Sequence, residues 1–237
     1  EEKQFKPIFI SEKNKYDLKD RQLTVDLVWS GGEVKVIKRF TFYKGKYEVK
    51  LEHIVDNNSK KEKLINISSG LFRGAQKKVT SWLPGSAASF TGGALWSFDK
   101  KYKKIAFKDF DKENYLGDDF SWFALSEHYF VSAIKPLTKH NKFYSSENDG
   151  YYYLEFKSAD LTVPVNSSEV FPVELYLGPQ IDKNMEHFAE GLDRTLDYGI
   201  FWVICKPLLS LLKLLYAYLI NWGTAIIATT VIIKLLF

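Results

Sequence analysis

The stretch Leu23-Thr24-Val25-Asp26-Leu27-Val28-Trp29-Ser30-Gly31-Gly32-Glu33-Val34-Lys35-Val36 decides how the first part of the chain is read. Leu23, Val25, Leu27 and Trp29 recur at period two, as a strand with one buried face requires. Ser30-Gly31-Gly32 follows, and Val34, Val36, Phe40 and Phe42 resume the alternation. Two such runs around Gly-Gly predict a hairpin, because glycine accepts the positive φ of a tight primed turn. Tyr47, Val49, Leu51, His53 and Val55 make the next run, closed by the turn residues Asp56-Asn57-Asn58-Ser59.

The pattern extends over residues 1–180. Further strands are expected at Leu64–Leu71, Trp122–Leu125, Tyr129–Ile134, Tyr151–Phe156 and Phe171–Leu177, punctuated by glycine and proline. Strands in this number with no interleaved helices favour antiparallel sheets packed face to face. Lys77–Asp119 is less regular and mixes Trp82, Pro84, Gly85, Gly92, Gly93 and Trp96 with the charge cluster Lys100–Lys104. It reads either as surface loops with a short hairpin or as a binding cleft with aromatic walls. Beyond Gly178-Pro179 the composition turns helical, with Met185, Phe188, Ala189 and Leu192 spaced for one apolar face. A connecting helix is expected within 181–198, stopped at Tyr198-Gly199.

Of the 237 residues, 46% are apolar, enough for a large core, and the single cysteine rules out a disulfide framework within the chain. Cys205 sits in Val203-Ile204-Cys205-Lys206 and reads as a buried or lipid-facing thiol. The 33 basic and 29 acidic groups are unevenly spread: residues 199–237 hold three lysines and no acid. The polar body is therefore near neutral, which argues against nucleic acid and for a membrane. The chain opens Glu1-Glu2-Lys3-Gln4, without an apolar leader, and its last apolar run stops at Phe237 without a polar flank. Either the protein is cytosolic or the sequence is a fragment whose export signal has been removed, and the apolar end favours the fragment.

The tail carries the functional signal. From Ile200 to Ile220 nearly every residue is apolar, yet Lys206, Ser210, Lys213, Ala217 and Asn221 fall at 4-3-4-4 spacing, one narrow stripe on a helix. Pro207 suits a first helical turn. An amphipathic helix over 199–221 would lie in the membrane interface, its lysines among headgroups. Trp202 and Trp222 suit the same level, and Gly223 permits a change of direction. Residues 222–237 then read as the first part of a transmembrane helix. Lys234 lies ~15 Å along the axis from Thr224 at ~1.5 Å per residue, near the midplane of a ~30 Å hydrocarbon core. An ammonium there faces protein or water, or else snorkels to the headgroups.

Leu196-Asp197-Tyr198-Gly199 through Lys206-Pro207-Leu208-Leu209, then Asn221-Trp222-Gly223 and the apolar run to Lys234, resemble the YidC/Oxa/Alb family of membrane protein insertases. Leu175-Tyr176-Leu177-Gly178-Pro179 and Trp122-Phe123-Ala124 with Tyr129-Phe130 are also similar to that family's periplasmic domain. The resemblance is dense over 170–237 and thin before 120. It implies a β-supersandwich on the periplasmic side of a Gram-negative inner membrane, then a linker, an interface helix and the start of the second membrane helix. It implies no catalysis and no cofactor. The implied partners are nascent inner-membrane proteins, components of the Sec translocon and the lipid bilayer. Lys234 falls where the family usually has an arginine in a water-filled groove, so the charge is kept and the guanidinium fork is lost. The first membrane helix, the rest of the second and the remaining helices are expected to lie outside this sequence.

No phosphate-cradling loop is present, and His53, His128, His140 and His187 lack metal-ligand spacing. Glu127-His128 is read in a strand, where neighbours point to opposite faces. Two further readings stand beside the insertase. One is a membrane-anchored carbohydrate-binding or sugar-modifying domain using Trp82, Trp96 and Trp122 to stack on rings. The other is a generic periplasmic module that binds polypeptide.

Overall fold

The period-two runs pair as strands. The computed structural model describes residues 7–74, 90–99, 101–111, 114–196 and 202–236, the side chains of 202–206 and 236 excepted. Its strands are β1 (Ile10–Ser11), β2 (Gln22–Gly31), β3 (Val34–Tyr43), β4 (Glu48–Asn57), β5 (Lys63–Ile65), β6 (Ser68–Gly74), β7 (Gly92–Ser97) and β8 (Lys101–Ala106). They continue as β9 (Tyr115–Asp118), β10 (Trp122–Ser126), β11 (Phe130–Pro136), β12 (Lys142–Asn148), β13 (Tyr151–Lys157), β14 (Leu161–Val163) and β15 (Ser167–Pro179). Three helices follow: α1 (Asp182–Phe188), α2 (Trp202–Leu219) and α3 (Trp222–Leu236).

A nine-stranded sheet runs β1-β2-β3-β4-β15-β11-β10-β7-β8, a four-stranded sheet runs β6-β13-β12-β9, and β14 pairs with β5. The core lies between the two larger sheets. Leu51, Val173, Ile134, Phe123, Leu125 and Leu95 of the large sheet meet Phe143, Leu154 and Phe156 of the smaller one. Phe143 packs edge-on against Phe120 and Phe123. The mainly β architecture expected from the alternation, closed by C-terminal helices, is the one observed.

The β2–β3–β4 meander has two unlike faces. One row sets Leu27 beside Lys38 and Lys38 beside His53, between the apolar pairs Val36–Val55 and Phe40–Leu51. The opposite row is a charge ladder, where Arg39 donates from Nε and Nη2 to both oxygens of Asp26 at 2.8 Å and stands opposite Glu52. Lys50 pairs with Glu52 at 2.7 Å. The Arg39 hydrogen bond holds the Asp26 carboxyl below the usual carboxylate range, against a smaller effect of burial.

Several elements depart from expectation. The β2–β3 turn is Gly32-Glu33, one residue beyond the expected Gly-Gly centre, with Gly32 at φ +72°. Leu64–Leu71 is two strands in different sheets rather than one. The chain turns at Ile67, which exchanges bonds with Ser158: Ser158 Nα donates to Ile67 O at 2.8 Å and Ser158 Oγ accepts from Ile67 N at 2.9 Å. Glu127-His128 lies in the β10–β11 turn, not in a strand.

The irregular middle holds the short hairpin expected there, as antiparallel β7–β8, but its first strand is not exposed surface. Residues 75–89, including Trp82, Pro84 and Gly85, lie outside the described residues, but Gly92–Ser97 is a strand buried along its whole length. Gly93 explains why a bulky side chain is absent there, since a Cβ would meet the Phe110 ring at 3.0 Å. The connecting helix is shorter than 181–198. It ends at Phe188, Ala189 is extended, Gly191 takes φ +77° and a separate 3-10 turn spans Leu192–Thr195. Tyr198 and Gly199 lie outside the described residues. Packing divides the chain at Thr195/Leu196, the strands and α1 forming one unit and the C-terminal helices belonging to another.

Candidate functional site

In α2 the helix begins at Trp202, so Pro207 lies inside it rather than in its first turn. Without an N–H, Pro207 cannot donate to the carbonyl four residues earlier. The Lys206 and Trp202 side chains are outside the described residues. Farther along, Ser210 and Lys213 are exposed on the expected polar stripe. Leu214 and Tyr218 are also exposed, at 55% and 79%, on the flank beside that stripe. The other flank, with Leu211, Leu212, Leu215 and Tyr216, is partly covered.

The corner between α2 and α3 is sharply built. Ile220 takes φ +54°, a left-handed conformation unusual for a β-branched residue. Asn221 then caps α3, its Oδ1 accepting from Gly223 N at 2.8 Å and Thr224 N at 3.3 Å. Trp222 stacks on Tyr216 with centroids 3.9 Å apart and remains 49% exposed. That combination suits a ring with one apolar face covered and its edge at a polar boundary.

Within α3, Ala225 and Thr229 are buried one turn apart. Thr229 and Thr230 turn their hydroxyls back onto the carbonyls of Ala225 and Ile226, both at 2.8 Å, which hides polar hydrogens in apolar surroundings. The opposite face exposes Ile226, Ile227 and Val231. Lys234 is exposed on that face, one turn beyond Thr230 and Val231. At ~1.5 Å per residue α3 is about 22 Å long, and among the described residues no helix is long and apolar enough to cross a membrane. The geometry is an ammonium at the end of an uncovered apolar strip.

The sandwich offers less chemistry. Trp96 and Trp122 are 5% and 1% exposed, so neither can stack on a sugar, and Trp82 is outside the described residues. His128 packs edge-on against Tyr129, and His140 sits 3.9 Å from Asp119 at the surface. Among the described residues no group of His, Cys, Asp and Glu gathers as metal ligands. His53 is different. It is 5% exposed, and burial first, then the neighbouring Lys38, push its pKa down to about 4. Burial likewise lowers Lys38. This pair was missed in the sequence reading, where His53 passed as one more member of a strand. The signal available was its register partner: two basic residues facing each other in an otherwise apolar row.

The model of the YidC periplasmic domain family matches residues 2–211. The chain belongs to the YidC family. A membrane protein insertase YidC from Azotobacter vinelandii is 35% identical over 98% of this chain and 42% of its own length. One from Pseudomonas aeruginosa is 34% identical over 98% of this chain and 45% of its own length. The chain therefore spans less than half the length of these curated YidC relatives. Among solved structures, the Slr1438 protein from Synechocystis is similar with a TM-score of 0.47 at 9% identity, over 72% of this chain and 65% of its own.

Proposed function

We propose that this YidC-family chain is the periplasmic and membrane-entry part of an insertase that helps inner-membrane proteins into the bilayer, alone or beside the Sec translocon. Residues 1–198 would stand in the periplasm, α2 would lie along the outer headgroups, and α3 would begin a membrane crossing. Trp202, Lys206, Pro207, Lys213 and Trp222 would mark the interface. The observation that carries the reading is the α3 face with Ile226, Ile227 and Val231 uncovered and Lys234 among them. In hydrocarbon such a charge is stable only beside water or protein, so the face lines a hydrated groove closed by further helices. A groove of that kind lowers the cost of carrying polar segments across, and Lys234 attracts acidic residues of the incoming chain. No bond is made or broken, so the role is not enzymatic.

The test places this chain in a full-length family member in place of the matching segment and follows one acidic and one neutral reporter at equal protein abundance. Lys234→Arg should insert both. Lys234→Glu should fail with the acidic reporter, where attraction becomes repulsion. Normal insertion of both reporters by Lys234→Glu and Lys234→Leu would mean that the lysine merely snorkels.

A further inference from the structure

The large sheet outreaches the smaller one. Beyond the shared core, the inward row of β2 and β3 (Leu27, Trp29, Val34, Val36) is only half-buried. Against this row lies a cleft of about 410 Å³, walled on one side by Trp29, Val36 and Val55 and on the other by Phe9, Ile65 and Ile67. Lys38 and His53 line it as direct cross-strand neighbours. His53 is buried with Nδ1 lacking a hydrogen-bond partner. The Lys38 ammonium lies 4.5 Å over the Phe9 ring and, among the described residues, forms no ion pair with a carboxylate. Glu169 of β15, in the adjacent row, is opposite Val55 rather than His53. Neighbouring strands β3 and β4 thus each place one basic residue in this inward row, side by side, where an uncompensated charge is disfavoured.

We propose that this cleft binds an amphipathic alkyl anion, its head on the Lys38 ammonium beside the His53 ring and its chain along Val36, Trp29 and Val34. Charge complementarity selects the head, because the Lys38 ammonium faces the cleft and no Asp or Glu is among the residues that line it. The apolar walls select the tail. From Lys38 to Val34 the strand runs about 14 Å at ~3.4 Å per residue, the reach of a medium alkyl chain. An extended peptide fits less well. It would bring backbone N–H and C=O groups against a sheet face, which offers no ladder to satisfy them, unlike a sheet edge. The site is independent of the insertase reading, since every residue in it belongs to the sandwich.

The experiment titrates the full chain, held in a non-ionic amphipol, with decanoate, decyl phosphate, decanol and decyltrimethylammonium by calorimetry. Both anions should bind, with decanol at least tenfold weaker and the cation weaker still. Lys38→Met should lose tenfold or more for the anions and leave decanol unchanged, while Lys38→Arg retains them. Partition into the amphipol cancels between variants, and a titration of protein-free amphipol is subtracted for each ligand. Comparable affinity for decanol and decanoate in the parent chain would overturn the proposal without recourse to any variant. So would an unchanged anion affinity in Lys38→Met, or tighter binding of an extended, Glu-containing apolar peptide that displaces decanoate.

Discussion

The indole Nε1 of Trp122, in the middle of the large sheet, donates to the backbone carbonyl of Glu190 at 2.8 Å. Gly191 follows immediately, and a Cβ on it would meet Trp96 Nε1 at 2.8 Å. Trp96 and Trp122 are register partners on β7 and β10. Two tryptophans, invisible at the surface, therefore seat the segment through which the chain leaves the sandwich.

Trp122→Phe should lower stability by between about 2 and 4 kcal/mol, the sum of a lost buried hydrogen bond and a partly filled cavity. Gly191→Ala, strained by its positive φ and crowded by Trp96, should lose about 1 to 3 kcal/mol. Urea midpoints of the full chain measure both. Parent-like midpoints for both variants would show that the segment is not seated there.

His53 makes stability depend on pH. Its folded pKa, about 4, lies below the ordinary 6.5. The unfolded chain thus takes up a proton first as pH falls, and the contribution of up to about 3 kcal/mol is full above pH ~6.5 and lost progressively toward pH ~4. His53→Leu should flatten this part of the pH–stability curve. The same slope in the variant would assign the pH dependence to other groups.

The α2–α3 corner should respond in opposite directions to neighbouring substitutions. Asn221→Ala removes the cap on α3 and should cost about 1 kcal/mol. Ile220→Gly relieves a left-handed β-branched residue and should gain about 1 kcal/mol, since Ile220 is 80% exposed and gives up little packing. Helical circular dichroism during thermal unfolding in lipid discs reads both.

If α2 lies in the headgroup region, spin labels at 210 and 214 should differ in depth by several Å, with 210 the shallower. Ser210 is on the polar stripe and Leu214 on the exposed apolar flank. Equal deep immersion of both labels would make α2 a second crossing helix.

The β2–β4 meander was legible because each strand has one solvated face, so the alternation survives in the sequence. Gly92–Ser97 was not legible for the opposite reason: a strand buried on both sides has no polar face to mark its period. The connecting helix was overextended because Met185, Phe188, Ala189 and Leu192 keep helical spacing. The extended Ala189, the positive φ of Gly191 and the bond from Trp122 to the Glu190 carbonyl, which end it at Phe188, leave no mark in that spacing. Pro207 was placed at a helix start from local preference alone, while the helix extends upstream through Trp202–Lys206. The tail was legible as a polar stripe in an apolar run, but Lys38 and His53 become a site only when the register of β3 and β4 is known.

The last strand of the large sheet is a keystone. β15 is inserted between β4 and β11, and its first residue, Ser167, pairs with Asn57. A chain delivered across a membrane from its N-terminal end would expose the meander's β4 edge throughout the passage of everything up to Ser167. Until then that edge is an adhesive template for other emerging chains. Closure of the sandwich is thereby timed to the arrival of the segment just before α1, so a chain stalled before Ser167 is left with an unfinished and sticky sheet.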